Sequence, residues 1–315
     1  MSFWTQVDEF VDKRFVKRSS QQKEINDGGT KVNDTVKDTT KSVSKGDSID
    51  TESVKIDIVL ITAVEDEYLA VRKIFTNRFS EVYNNGFKYC LVNYEIAQGE
   101  NVVIAIFKQT NMGLVSASMT ATYAANKFCP KLLLMCGVCA GVEGKSNLGD
   151  LIVFSPVFDY GSGKYESGQF QPDYRQRQLD GSVNPIVEEM RCNRDLCRKI
   201  KDAWTMESGK PETELTVHIY PGGSGAAVIT DTTVMDAIKT HQRTLGAIDM
   251  EAFAIGEVAN AALSKEIPWL VVKGVQDFAS PLKNDQYREY AAFTSGVFIR
   301  HFIERYYAKH RSSFC

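Results

Sequence analysis

From residue 54 onward, short apolar runs and amphipathic stretches take turns along the chain, and this alternation limits the available folds more than any other feature. Runs rich in Val, Ile and Leu at 56–62, 89–94, 102–107, 132–135, 151–154, 215–220, 245–248 and 269–275 have strand length. Stretches with helical spacing follow at 66–75, 114–127, 187–204, 234–241, 252–263 and 286–307. Near-continuous apolar strands need cover on both faces, and strands separated by helices favour parallel pairing. The expectation is an α/β fold: a three-layer αβα arrangement around a mixed, mostly parallel central sheet.

Ligands in such sheets bind beyond the carboxyl ends of the strands, so the charges there matter most. The last strand runs straight into Gln276 and Asp277, with Asp277 held between Val275 and Phe278. Loss of solvent at such a junction disfavours the charged form of a carboxylate, which suits a general acid. Glu65-Asp66-Glu67 and Asp249-Met250-Glu251 stand at two further strand ends. Three strand ends carrying carboxylates point to one cleft.

The first 53 residues differ in character. Phe3, Trp4, Val7, Phe10 and Val11 recur at helical spacing, which predicts a short amphipathic helix over 1–17. Residues 18–53 are dominated by Ser, Thr, Lys, Asp, Gly, Gln and Asn and read as a flexible polar linker, since they offer too little apolar surface to offset ordering entropy. The helix suits packing on its own domain or a dimer mate, or docking to a protein partner. Its mixed charge argues against a membrane surface. Residues 54–315 form the catalytic domain in this reading.

A formal charge of −3 gives no reason to expect nucleic acid. No apolar run reaches the ~18–20 residues of a membrane span, and no signal peptide opens the chain. Seven scattered cysteines, an odd number, fit a reduced cytoplasmic protein better than a disulfide framework. Cys136 and Cys139 are spaced as CxxC, but no matching second pair exists for zinc, so they read as buried thiols beside a turn. The four histidines show no metal spacing.

Two small-residue segments remain. Gly137-Val138-Cys139-Ala140-Gly141-Val142 follows an apolar strand, and Gly222-Gly223-Ser224-Gly225-Ala226-Ala227 leads into Val228-Ile229. Small residues let a ligand approach the backbone, which makes Gly137, Cys139 and Ala140 candidate binding positions. Taken in order with Val64-Glu65-Asp66-Glu67, Leu148-Gly149-Asp150, Ile248-Asp249-Met250-Glu251-Ala252 and Val275-Gln276-Asp277, these segments resemble the purine nucleoside phosphorylase and nucleosidase superfamily. The methylthioadenosine/S-adenosylhomocysteine nucleosidases are the nearest branch, and the resemblance covers about 56–307.

The resemblance implies roles. Glu251 would grip the ribose 2′- and 3′-hydroxyls, with Met250 beneath the sugar. Asp277 would protonate the purine's five-membered ring, Val228 and Ile229 would border the base, and Glu67 would activate water. It implies a small-molecule purine nucleoside or nucleotide as partner, a homo-oligomer, and no metal or organic cofactor. Where phosphorylases present serine and arginine to phosphate, this chain has Val138 and no arginine beside the first strand end, which favours water. Gln276 stands where nucleosidases often have serine, and Val228 where they stack phenylalanine. The leading expectation is hydrolysis of an adenine nucleoside or nucleotide to free base; if Lys108, Lys145 or Lys164 holds phosphates, ATP becomes a substrate and a nucleotide-depleting defence effector the matching role. The alternatives are phosphorolysis and a catalytically dead nucleoside-binding module.

Overall fold

The computed structural model describes residues 55–75, 80–173, 175–262, 265–281 and 285–310. The expected helix over 1–17 and linker over 18–53 lie outside these residues. Within them, strands β1 (Ile58–Thr62), β2 (Ser80–Asn84), β3 (Phe87–Ala97), β4 (Glu100–Lys108), β5 (Leu132–Gly141), β6 (Leu151–Asp159), β9 (Gln176–Arg177), β10 (Val217–Ser224), β11 (Ala247–Asp249) and β12 (Trp269–Asp277) join in one sheet. A separate hairpin pairs β7 (Gly163–Glu166) with β8 (Gln169–Pro172). The strand order is β11-β10-β6-β12-β5-β1-β4-β3-β2, β9 lies beside β6, and β11 also pairs with the end of β5.

The centre of the sheet is parallel: β1 runs with β4 and β5, and β5 with β12. β6, β10 and β11 are parallel to one another and meet this block through antiparallel joints, β12 with β6 and β5 with β11. Among the described residues, seven helices accompany the sheet: α1 (Glu65–Ile74), α2 (Leu114–Phe128), α3 (Asn184–Cys192), α4 (Arg194–Asp202), α5 (Thr232–His241), α6 (Ala252–Asn260) and α7 (Arg288–Lys309). Strand alternation shows that they cover both faces. Gly274 of β12 lies so close to Ala291 of α7 that a Cβ would strike its backbone. Trp269, five positions earlier and hence on the opposite face, packs against Gly256 of α6. The three-layer α/β architecture follows.

The apolar runs explain why these strands are central. All five residues of β1 and all nine of β12 are buried. Elsewhere the structure extends or divides the sequence expectation. The stretch 137–141 is not a turn after β5 but its continuation, still paired with β12 as far as Ala140. β6 likewise passes through a cis Ser155–Pro156 bond to Asp159. The single helix expected over 187–204 is two, because the Asn193 side chain accepts a hydrogen bond from the Leu196 N–H and starts α4 afresh.

Candidate active site

Residues 137–141 of β5 are the axis of the site. β1 flanks β5 on one side and delivers α1, with Glu67 in its first turn. β12 flanks the other side, and Asp277 pairs in register with Ala140. β11 meets the end of β5, Ile248 opposite Ala140, and delivers Asp249, Met250 and Glu251. Three carboxylates drawn from a stretch of 210 residues, Glu67 to Asp277, are therefore brought to one end of β5.

Glu67 is buried, with three backbone donors. Its Oε2 accepts from the Ala63 N–H at 2.7 Å and the Val64 N–H at 3.2 Å, and its Oε1 from the Val138 N–H at 2.9 Å. It closes the start of α1 and also reaches across to β5. Gly137 makes this reach feasible: its φ is +154°, and any Cβ there would overlap the Glu67 carboxylate. The glycine allows this close approach of the Glu67 side chain.

Glu251 is 4% exposed at the start of α6. Its Oε1 accepts from the Gly113 N–H at 2.9 Å and the Gln109 Nε2 at 3.4 Å. Burial is the largest influence on its acidity and raises it; Lys273 pulls the other way, Asp249 and Glu67 push up again, and the net position is about 7. Met250 beside it is half-buried.

Asp277 is 6% exposed and ends β12. Its Oδ1 accepts from the Ala279 N–H at 2.8 Å, and its Oδ2 from the Gln276 Nε2 at 3.0 Å. Ala279 adopts a left-handed φ of +53°, uncommon for a residue with a Cβ, and is fully buried. It belongs to a small apolar cluster with Val142, Phe158 and Ile248, against which Ala140 and Ile229 also pack. Ile229 thus stands on the Asp277 side of the site. The Val228 side chain is exposed, so the base border expected there rests on its backbone.

Sequence reasoning missed the group that ties these acids together. Lys273 of β12 is fully buried, with its Nζ 3.4 Å from Asp249 Oδ2 and 3.5 Å from Glu251 Oε2. Burial alone would lower its pKa, but the fields of Glu67, Asp249 and Glu251 outweigh that and hold it above its ordinary value. The signal was present: Lys273 lies inside an unbroken apolar run, so either face of the strand had to bury it. Asp249 was also read too loosely. Its carboxylate accepts from the Ala252 N–H at 3.0 Å and from Ser224 Oγ at 2.7 Å, and Ser224 Oγ accepts from the Phe253 N–H at 2.9 Å. Asp249 therefore fixes the chain on which Glu251 stands. Cys139 lies among all of these groups: its buried thiol is held well above the usual range, first by desolvation and then by Asp249 and, on the raising side, Asp277 and Glu67.

The three lysines considered for phosphates divide. Lys145 donates to the carbonyls of Arg243 and Leu245, at 3.0 and 2.7 Å, and Lys108 pairs with Glu65 at 3.6 Å. Lys164, which pairs with Glu166 at 3.3 Å, lines a cavity of about 920 Å³ with Arg175, Asp173, Phe253 and Glu257. Phe253, which lines this cavity, lies two residues after Glu251 in the chain. Among the described residues, no group of three or more His, Cys, Asp and Glu side chains is arranged to hold a metal ion.

The doubly covered α/β sheet thus gathers these acids at a central strand end. The chain belongs to the phosphorylase superfamily, whose family model matches residues 57–301. It is 34% identical over 213 residues to the Sinorhizobium fredii protein y4jS, across 66% of this chain and 51% of that one. It is 22% identical over 261 residues to the ATP nucleosidase Cap17 of Escherichia coli, across 78% of this chain and 51% of that protein. The chain thus spans about half the length of these two relatives. A 5'-methylthioadenosine/S-adenosylhomocysteine nucleosidase of Bacillus cereus is 22% identical across 78% of this chain and 98% of its own length. The solved structure of the corresponding Helicobacter pylori nucleosidase superposes with a TM-score of 0.63 at 17% identity, over 80% of this chain and 99% of that one. A futalosine hydrolase mutant of the same organism gives 0.63 at 16%, over 79% and 99%.

Proposed function

We propose that residues 54–315 are a purine N-ribosyl hydrolase that releases adenine from a nucleoside or nucleotide. The observation that carries this reading is the gathering of Glu67, Glu251 and Asp277 around residues 137–141 of β5. Glycosidic cleavage develops a cationic sugar and negative charge on the departing base. Asp277 gives its proton to the purine ring, and the C1′–N bond electrons leave with the base. The Glu251 carboxylate has acceptor sites left for a cis-diol after Gly113 and Gln109 are served. Glu67, fixed by three amides, takes a proton from the water that attacks C1′. Backbone at Gly137, Cys139 and Ala140 forms the floor of the site, with Met250 beneath the sugar and Val228 and Ile229 along the base.

Water is favoured over phosphate by charge. The nucleophile's place is bordered by Glu67, and the valine at 138 brings no hydroxyl to an anion. The nucleosidase relatives support the same choice. Extension of the substrate by phosphates has support in the likeness to Cap17 and in the cavity beside Phe253, where Lys164 and Arg175 supply cations. A role in nucleotide depletion, in the cytoplasm, follows if ATP is the substrate. The exposed Met112, Val115 and Met119, next to the Gly113 that holds Glu251, suit a homo-oligomer whose interface borders the site.

The test is base release from methylthioadenosine, adenosine, AMP and ATP, with and without inorganic phosphate. Free adenine without phosphate supports the proposal. Ribose 1-phosphate formed only with phosphate supports a phosphorylase, and binding without turnover a dead module.

A further inference from the structure

Small residues at 222–227 leave room over the backbone, and the structure fills that room from within. A Cβ on Gly222 would strike the Phe154 ring, and one on Gly225 would overlap Cζ, Cε2 and the hydroxyl of Tyr160. A Cβ on Gly223 would lie 3.1 Å from Cδ1 of the same tyrosine. Cδ1 and Cε2 are on opposite sides of the ring, so Tyr160 rests on the two glycines by its face. Its N–H donates to the Ser224 carbonyl at 3.1 Å, and its hydroxyl to the Ala227 carbonyl at 3.5 Å. A ligand brought to this segment therefore meets the tyrosine rather than the glycines.

The position of that ring relative to the acids follows from packing. Among the described residues, three half-buried side chains pack against the apolar cluster that holds Ala279: Ala140, Ile229 and Tyr160. Ala140 pairs in register with Asp277, and Ile229 belongs to the base border proposed above. Tyr160 is the aromatic member of this lip; Phe158, the other ring of the cluster, is fully buried. The Val228 side chain is exposed and gives the base no wall. We infer that Tyr160 is a binding residue of the base end, whose outward face forms the flat wall on which the purine packs. The inference rests on the proposed purine substrate. Purines stack on aromatic faces whatever their exocyclic groups, so this wall selects a flat bicyclic base and leaves the choice among purines to other groups. The phenol takes no part in proton transfer, because burial first and Asp249 and Asp159 next push its pKa up to about 12.

The test is binding of free adenine by calorimetry, with ribose as a competitor that carries no base. Tyr160→Phe keeps the ring and should bind adenine within about threefold of the parent. Tyr160→Leu keeps bulk without a π-face and should weaken adenine by roughly tenfold to a hundredfold, with the inhibition constant of ribose within about threefold. Equal losses for adenine and ribose would mean local collapse and overturn the inference. So would an unchanged adenine affinity in Tyr160→Leu, or a Tyr160→Phe loss as large, which would assign the effect to the hydroxyl at Ala227. Should Tyr160→Leu not fold, 2-aminopurine bound to the parent decides: a stacked base is quenched, and undiminished fluorescence overturns the wall. Base release from the substrate panel separates the two levels. If the parent releases adenine while Tyr160→Leu binds it normally, only the role of Tyr160 fails. If adenine binding depends on Tyr160 but nothing is cleaved, the wall stands and the hydrolase fails.

Discussion

Replacing Gly137 with alanine tests the construction of the site at its tightest point. The added Cβ would overlap Oε1, Cδ and Oε2 of Glu67, the last at 2.8 Å, and the backbone is held there because Gly137 pairs with Lys273 of β12 and its N–H donates to Ser295 Oγ at 3.1 Å. Glu67 must swing away and give up its bonds to Ala63, Val64 and Val138. Hydrogen bonds to a charged group contribute about 1.5–3 kcal/mol each, so loss of the three, in large part recovered by solvent, should destabilise the fold by roughly 2–4 kcal/mol. The displaced carboxylate no longer meets the attacking water, and general base help is typically about 10²–10⁴-fold. We expect kcat to fall by at least about a hundredfold with KM little changed, because Glu251 and Asp277 stand on other strands. The double variant Gly137→Ala/Glu67→Ala should lose no more activity than either single variant, since both act through one carboxylate. Steady-state kinetics and thermal melts of the three proteins decide the matter. A Gly137→Ala kcat within threefold of the parent, or additive losses in the double variant, would refute the reasoning.

Burial pushes Glu251 up to about 7, so below that pH it is mostly protonated and a poorer acceptor for two hydroxyls. KM should therefore rise as pH falls from 8 to 6, approaching about tenfold per unit below the inflection; a flat profile would remove Glu251 from sugar binding. Lys273→Met removes the cation that pulls Glu251 down, so the inflection should move to higher pH in the same assay. Val115→Glu combined with Met119→Glu places charge on the exposed apolar face of α2; sedimentation should show smaller particles, and an unchanged mass would exclude this face as the interface.

The central strands were legible because full burial forces apolar runs such as 58–62 and 269–275, and the acids at their ends followed. The continuation of β5 was hidden because small residues signal turns by composition, while here smallness serves the approach of Glu67 to Gly137. The hairpin 163–172 was missed because its residues are mostly exposed and show little alternation of apolar and polar side chains. Lys273 escaped notice because a lysine in a strand is ordinarily assumed to face water. Its partners, Asp249 and Glu251, come from another strand end, which only the topology brings to it. Glu251's bond to Gly113 joins residues 138 positions apart and has no local signature.

The most direct measurement follows oxygen. Base release run in ¹⁸O-labelled water without phosphate should place one label on C1 of the sugar product, and Glu67→Gln should abolish that incorporation. Unlabelled sugar, or label transfer undiminished without the Glu67 carboxylate, would contradict activation of water by a carboxylate seated on β5.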